Sequence, residues 1–325
     1  MPGKLNKSDD EFFDESISFF LEKGKQLQLT DPDIVDEYND HSILKLIAIE
    51  YWVGFFAPIA HRQLKEKYGY QVVYIDTMAG SGVTMTKRAG DYFCGSCPGA
   101  LISAERSNFP FDKVIGVEID NEKSRTLQNR LKRLSQSTVY QIYSEDIDEV
   151  SQQIADELQK MSVSYIVVDP HAIKGLSWKA LKPLLECKGD IMFTWFEDKI
   201  WRVRAAALSN GISAKADAAR LTELLGNEDW REAKSSHNLT DIFIRRVLNE
   251  TKKCAVQSLD IEDKEKIHYK MILFVGRCRN AQLLADQWKT NMEKRLGSDQ
   301  GIHIAHILDR KTGRTSDLRD YGLKD

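Results

Sequence analysis

The run Val72-Val73-Tyr74-Ile75-Asp76-Thr77-Met78-Ala79-Gly80-Ser81-Gly82 decides how this chain folds. Its first four residues are apolar or aromatic without polar alternation, the pattern of a strand covered on both faces and so of a parallel sheet. Gly80 and Gly82 let the backbone turn sharply and approach a ligand where a Cβ would collide. Such a turn is shared by several nucleotide-binding folds, and it also serves as a plain strand-to-helix connection with a capping Asp. The discriminating residue is Asp76. A carboxylate at the strand tip repels a pyrophosphate and attracts an ammonium group in a partly dry site.

Asp76 with the loop Ala79-Gly80-Ser81-Gly82 therefore points to S-adenosylmethionine as the ligand rather than a dinucleotide. The phosphate-loop ending Gly-Lys-Ser/Thr is absent from this stretch, which agrees. Downstream, Val114 to Asp120 reads as a second strand ended by acids. In a doubly wound sheet that tip lies beside the ribose, which assigns the hydroxyl contacts to Glu118 and leaves Asp120 as a helix cap. Val139 to Tyr143 is a third strand, closed by Ser144-Glu145-Asp146. Asp146 is a candidate acceptor for an exocyclic adenine amine, and equally a helix cap. Ser164 to Val168 is a fourth strand followed by Asp169-Pro170-His171, an acid, a rigid turn and an imidazole facing the same crevice as Asp76. Asp169, Pro170 and His171 are the candidate catalytic residues, with His171 suited to proton transfer near neutral pH. A turn histidine bonded to backbone is the alternative reading of His171.

Asp190 to Phe196 makes a fifth strand, and Cys254 to Leu259 and His268 to Val275 add two more. Upstream, Ile43, Leu44, Leu46, Ile47, Tyr51 and Phe55 recur at helical spacing, with a kink or break expected near Pro58 and an end near Gly69. Phe12, Phe13, Phe19 and Phe20 fit an amphipathic helix docked on the main body. Residues 84 to 95 read as a loop beside the ligand, able to act as a lid. Ser96-Cys97-Pro98-Gly99 then reads as a cap with proline in the first helical turn.

A chain of 325 residues with 42% apolar and 29% charged composition supports one large α/β unit with appendages. A net charge of −3 gives no global pull toward nucleic acid or membrane, so such a partner must be met by a local patch. The local basic points are Arg202, Arg204, Arg245 and Arg246. The start lacks a basic and apolar leader pattern, and the greasy stretch from Ile43 to Ala60 is interrupted by Lys45, Glu50, Gly54 and Pro58. A cytoplasmic protein with no membrane span is expected. Of the five cysteines only Cys94-Gly-Ser-Cys97 has metal or redox spacing, and no second pair completes a zinc site, so two thiols in a Gly-rich loop and no metal are expected.

An ordered set of stretches carries a resemblance. It comprises Asp40-His41, Lys45, Tyr51, Tyr74 to Gly82, Gly95-Ser96 before the proline-led helix, Gly116-Val117-Glu118, Val168 to His171, Asp190 to Phe193 and Tyr269 to Phe274. Over about residues 40 to 290 the chain resembles the three-Cys-motif partner (TcmP) family. The resemblance implies an α/β, Rossmann-like doubly wound sheet of about seven strands of the class I S-adenosylmethionine-dependent methyltransferase type. It also implies a companion protein bearing the three-Cys motif, so Cys94 and Cys97 gain nothing from the name. The expected organisation is an N-terminal helical extension over 1–38, the methyltransferase-type domain over 39–296 with a helical insertion at about 197–250, and a tail over 297–325.

Methyltransferases acting on exocyclic base amines carry an aromatic residue after the acid and two prolines that follow the fourth strand. Here Asp169-Pro170 is followed by His171-Ala172. Two readings stand: a methyltransferase acting on nucleic acid or protein, and a non-catalytic S-adenosylmethionine- or nucleotide-binding partner subunit. A nicotinamide-dependent oxidoreductase is disfavoured by Asp76 and by the missing third glycine.

Overall fold

The computed structural model describes residues 9–38, 42–87, 90–135, 137–158, 161–170, 177–263, 266–276 and 278–296. His171, the Asp40-His41 pair and the tail 297–325 lie outside the described residues. The stretch around Asp76 becomes β2 (Gln71–Asp76), and every residue of it after Gln71 is buried. Beside it run β5 (Lys113–Val117), β6 (Val139–Tyr143), β7 (Ser162–Val168), β8 (Gly189–Trp195), β9 (Lys253–Asp263) and β10 (Lys266–Gly276). They form a seven-stranded sheet in the order β6-β5-β2-β7-β8-β10-β9. β2 pairs in parallel with β5 on one side and β7 on the other, and only β10 is antiparallel to its neighbours β8 and β9.

The sheet is therefore mostly parallel and doubly wound, as expected. The chain winds outward from β2 through β5 to β6, returns to the other side of β2 with β7, and so puts its switch point between β2 and β7.

Alternation along β2 explains the unbroken apolar run. Val72 and Tyr74 enter one core layer, with α1 (Asp9–Gln28), α2 (Ser42–Ala60), α4 (Ser96–Arg106) and α11 (Ala281–Leu296). Val73 and Ile75 enter the other, with α6 (Ile147–Leu158), α7 (Trp178–Glu186) and the helices α8 (Glu197–Ala207), α9 (Ala214–Leu225) and α10 (Ser236–Glu250). A strand covered by helices on both faces has no place for a polar alternation.

Two local expectations change. The stretch expected as a loop carries two strands: β3 (Val83–Thr86) and β4 (Tyr92–Cys94) pair antiparallel, and β1 (Asp36–Tyr38) adds to β3 in parallel. Thr, Val and aromatic residues suit a pleated, half-buried surface, and tertiary pairing with β1 supplies the rest. Around Pro58 the helix stays continuous, and the irregularity comes three residues later as a π-helical turn, His61–Lys65, whose wider spacing lets Lys65 Nζ reach Asp112 Oδ1 at 2.5 Å. The short helix α3 (Glu66–Tyr68) then ends on Gly69 in the left-handed region, where the sequence placed the stop. The helical stretch Ser42–Tyr68 has the length and apolarity of a membrane span, but 67% of its most apolar window is buried within the fold, as in a core helix.

The N-terminal segment is tied to the glycine loop by one side chain. Arg130, on α5 (Asn121–Leu134), is fully buried. Its guanidinium donates to the carbonyls of Leu27 at 3.2 Å, Thr30 at 3.1 Å and Asp31 at 3.0 Å, and to Ser81 O at 2.8 Å and Ser81 Oγ at 3.0 Å. Burial holds the guanidinium down at about 10, and Asp31 and Asp36 partly offset that. Replacing Arg130 by Met would leave these carbonyls without their donor. Arg130→Met is expected to lower stability by about 2–4 kcal/mol in urea unfolding, and an unchanged midpoint would show that the clasp contributes nothing.

Candidate functional site

The tips of β2 and β7 carry Asp76 and Asp169 on the two sides of the switch point, where open α/β sheets bind ligands. Asp76 is fully buried. Its Oδ1 accepts from Met78 N at 3.2 Å and its Oδ2 accepts from the Ser96 hydroxyl. Ser96 thus spends its side chain on Asp76 rather than on capping α4, whose N-cap is Gly95 without a side-chain bond. Burial pushes Asp76 up to about 6; the Ser96 and Met78 hydrogen bonds oppose this, Asp169 adds to it, and Lys45 opposes it.

Asp169 pairs with Lys45, which reaches it from α2. The Lys45 ammonium also stands 5.2 Å from the Tyr38 ring centroid. Burial raises the Tyr38 phenol well above its ordinary value, and Asp169, Asp36, Asp76 and Glu118 raise it further, in that order. Asp36 and Asp169 thus stand in the same cleft as the phenol, and Asp76 and Glu118 reach it through their fields.

The narrow cleft between them is lined by Asp36, Tyr38, Lys45, Ser96 and Asp169 with the loop residues Ala79, Gly80 and Gly82. Asp76 lies behind Ser96 and acts on the cleft through its field. Gly80 has φ +59°, and a Cβ on it would stand 2.5 Å from Asp36 Oδ2. That carboxylate accepts from Ser81 N at 2.7 Å and pairs with Lys123 at 2.8 Å. The glycine loop therefore holds a carboxylate of its own chain against its backbone. Gly82, at φ +81°, serves packing: a Cβ there would meet Leu127 at 2.8 Å and Pro98 at 3.2 Å. The cleft has a volume of about 30 Å³, against roughly 300–1,000 Å³ for small-molecule sites. A ligand of nucleoside size requires β1 to move.

The remaining predicted residues fall as follows. Ala79 is buried and its N–H donates to Val117 O at 2.9 Å. Ser81 donates its hydroxyl to Val83 O at 3.0 Å and does not line the cleft. Glu118 follows β5, half-buried, and accepts from Asp120 N at 2.9 Å; its charge reaches Tyr38 and Lys123. Asp120 caps α5, accepting from Glu122 and Lys123 N–H. Asp146 accepts from Asp148 N at 2.9 Å, a helix-start contact, and does not line the cleft. Pro170 is buried beside Asp169.

Cys94 and Cys97 are buried free thiols in β4 and α4 rather than in a loop, and burial pushes both well above the usual range. Asp36 and Tyr38 were invisible to sequence reasoning. The three-residue strand that carries them has no periodicity, and its role comes from pairing with residues more than forty positions away.

The sequence matches no family model and no relative among curated proteins. Several solved structures are similar. A Legionella pneumophila protein of the family described as DUF519 has 11% identity and a TM-score of 0.45, covering 79% of this chain and 92% of its own. Trm1 from Pyrococcus horikoshii, solved with S-adenosyl-L-methionine, has 13% identity and a TM-score of 0.39, covering 76% of this chain and 58% of its own. A SAM-dependent O-methyltransferase from Thermotoga maritima has 14% identity and a TM-score of 0.31, covering 69% and 65%. At these values the likeness carries no inference about chemistry, which rests on the site itself.

The contact between Gly80 and Asp36 is testable by a double-mutant cycle. Gly80→Ala is expected to cost about 1–3 kcal/mol from the left-handed backbone and the collision. The cost should shrink in an Asp36→Gly background, read by denaturant unfolding. Equal costs in both backgrounds would show that the carboxylate does not sit over the loop.

Proposed function

We propose that the chain is an S-adenosylmethionine-dependent methyltransferase. The observation that carries this is the cleft in which Asp36 and Asp169 stand beside Tyr38 above the glycine loop, in the field of Asp76 and Glu118, with Asp36 paired to Lys123 and Asp169 to Lys45. An excess of negative charge in a low-dielectric crevice attracts a ligand bearing an ammonium and a sulfonium and repels a polyphosphate. The hold of Ser81 N on the Asp36 carboxylate indicates that the loop can also receive the α-carboxylate of an amino acid. The resemblance to the three-Cys-motif partner family supports the same reading and suggests a companion protein with that motif.

Bound S-adenosylmethionine would supply an electrophilic methyl group. Ala79, Gly80 and Ser81 would receive its amino-acid end, Glu118 its ribose hydroxyls, and Asp146 is the proposed adenine contact. Asp169 faces the acceptor: its carboxylate, positioned by Lys45, can accept a hydrogen bond from the acceptor and take the proton released on transfer. Holding the acceptor in line with the methyl group supplies most of the rate in such reactions. Pro170 fixes the turn after Asp169, and His171 remains a proposed proton acceptor.

A second reading, a binding subunit without catalysis, draws on the seated Asp36 and the small volume of the cleft. Methyl transfer separates the two. Asp169→Ala should retain ligand affinity and lose transfer of a radiolabelled methyl group; unchanged turnover would remove Asp169 from the mechanism.

The charge argument has a pH signature. The Asp76 carboxyl, at about 6 in the folded chain, is ionised at pH 7 and takes up a proton as the pH falls, removing one negative charge from the site. Affinity for S-adenosylmethionine should therefore drop on the order of tenfold from pH 7 to pH 5. In Asp76→Asn it should be weaker at pH 7 and flatter with pH. Isothermal titration across this range decides it, and a wild-type profile that strengthens on acidification would refute the electrostatic reading.

A further inference from the structure

The acceptor side of the crevice is built from different chemistry. Phe196 follows β8 and opens α8; its ring is half-buried and lies 5.7 Å from the Tyr269 ring, centroid to centroid. The Lys199 ammonium stands 4.0 Å from the Phe196 centroid. Lys199 and Arg202 are both exposed, and their spacing of three puts them on one face of α8. Burial of its stem holds Lys199 somewhat below its ordinary value; Asp169 opposes this, and Arg202 and Lys45 add to it, so all four groups share one electrostatic neighbourhood. Tyr269 lies in the field of Asp169 as well. Lys45 thus pairs with Asp169, Lys199 lies in the field of both and of Arg202, and the Phe196 ring beneath Lys199 adjoins Tyr269 on the neighbouring strand β10.

Phe196 supplies, from the neighbouring strand tip, the aromatic surface that Asp169-Pro170 lacks in sequence. The cations then discriminate between acceptors. A lysine or arginine side chain of a protein would carry its positive charge toward Lys45 at Asp169 and toward Lys199 and Arg202 beside it. A planar, uncharged amine on an anionic chain meets attraction at the same place. The basic side chains of this region are held by local partners. Arg204 Nε donates to Trp230 O at 2.7 Å, and Arg246 pairs with Glu250 at 2.9 Å and stacks on Trp178. Arg202 Nε donates to Asp198 O at 3.2 Å, and Lys199 stands over the Phe196 ring.

We infer that the acceptor is a base of a single-stranded nucleic acid, laid against Phe196 with its amine at Asp169 and its flanking phosphates at Lys199 and Arg202. The inference rests on the methyltransferase reading above. In the transfer, the amine nitrogen forms the new N–C bond as the C–S bond of the sulfonium breaks. The C–S electron pair remains on sulfur as a neutral thioether, and the nitrogen's proton passes to the Asp169 carboxylate and then to solvent. Stacking on an aromatic ring contributes about 1–3 kcal/mol per base and tolerates sequence.

The test is fluorescence anisotropy of the full-length chain with labelled mixed-sequence single-stranded RNA and DNA, across a salt series and without S-adenosylmethionine. Lys199→Ala/Arg202→Ala should weaken binding and flatten the log–log salt dependence by about 1.4, two phosphates at about 0.7 each. Phe196→Ala should weaken it about tenfold, and Phe196→Tyr should restore it. Lys132→Ala, an exposed cation on α5, should leave it unchanged. Matching thermal melts exclude misfolding. In a parallel screen, radiolabelled methyl should enter nucleic acid and not cell protein. Binding indifferent to Phe196, Lys199 and Arg202, or label confined to protein, overturns the inference. A chain that fails to bind S-adenosylmethionine in calorimetry refutes the earlier reading instead, and the anisotropy still decides this one.

Discussion

A buried carboxylate at the tip of the central strand is the constraint on which this structure turns. Asp76 has no exposure, and a charge removed from water is tolerated only if its oxygens are hydrogen-bonded. The Ser96 hydroxyl and the Met78 N–H meet that requirement. In doing so they fix the start of α4 and the first turn of the glycine loop relative to β2. Because β2 lies between β5 and β7, the same strand that buries Asp76 also sets the positions of Glu118 and Asp169. The concentration of negative charge around Tyr38 follows from the sheet order rather than from any one side chain.

The N-terminal segment completes the site from outside the main sheet. Arg130 holds the Leu27–Asp31 carbonyls and Ser81 together in a dry environment, and β1 then lays Asp36 over Gly80. The two contacts differ in strength. The Arg130 clasp is buried, whereas β1 is three residues long and pairs only along β3, which puts it among the elements that open most readily. A cleft of about 30 Å³ would take a ligand of nucleoside size only with this strap displaced from the loop.

Much of this was legible in the sequence. The seven strands are apolar runs with punctuated ends, and the acids that follow or close three of them, Asp76, Glu118 and Asp169, lie at the carboxyl end of the sheet. The misses have physical causes. Ser96 read as a helix cap because its local position is that of a cap, and its actual partner is a strand tip twenty residues earlier. The β3–β4 hairpin was hidden by Lys87 and Gly90 between its strands, and it depends on a third strand from the N-terminal segment. Asp36, Tyr38 and Arg130 act through tertiary partners that no local pattern encodes. A buried arginine on a helix rich in charge looks, in sequence, like any solvated one. Phe196 read as the end of a core strand, and only the pairing of β8 with β10 brings its ring against Tyr269.

The central claim is that the crevice is electrostatically selective for a cationic amino-acid-bearing nucleoside. Calorimetric titration of the intact chain with S-adenosylmethionine, ATP and NAD at neutral pH tests it most directly. The account predicts S-adenosylmethionine binding on the order of micromolar with no heat from the two phosphate ligands. Tight binding of ATP or NAD with none of S-adenosylmethionine would contradict it.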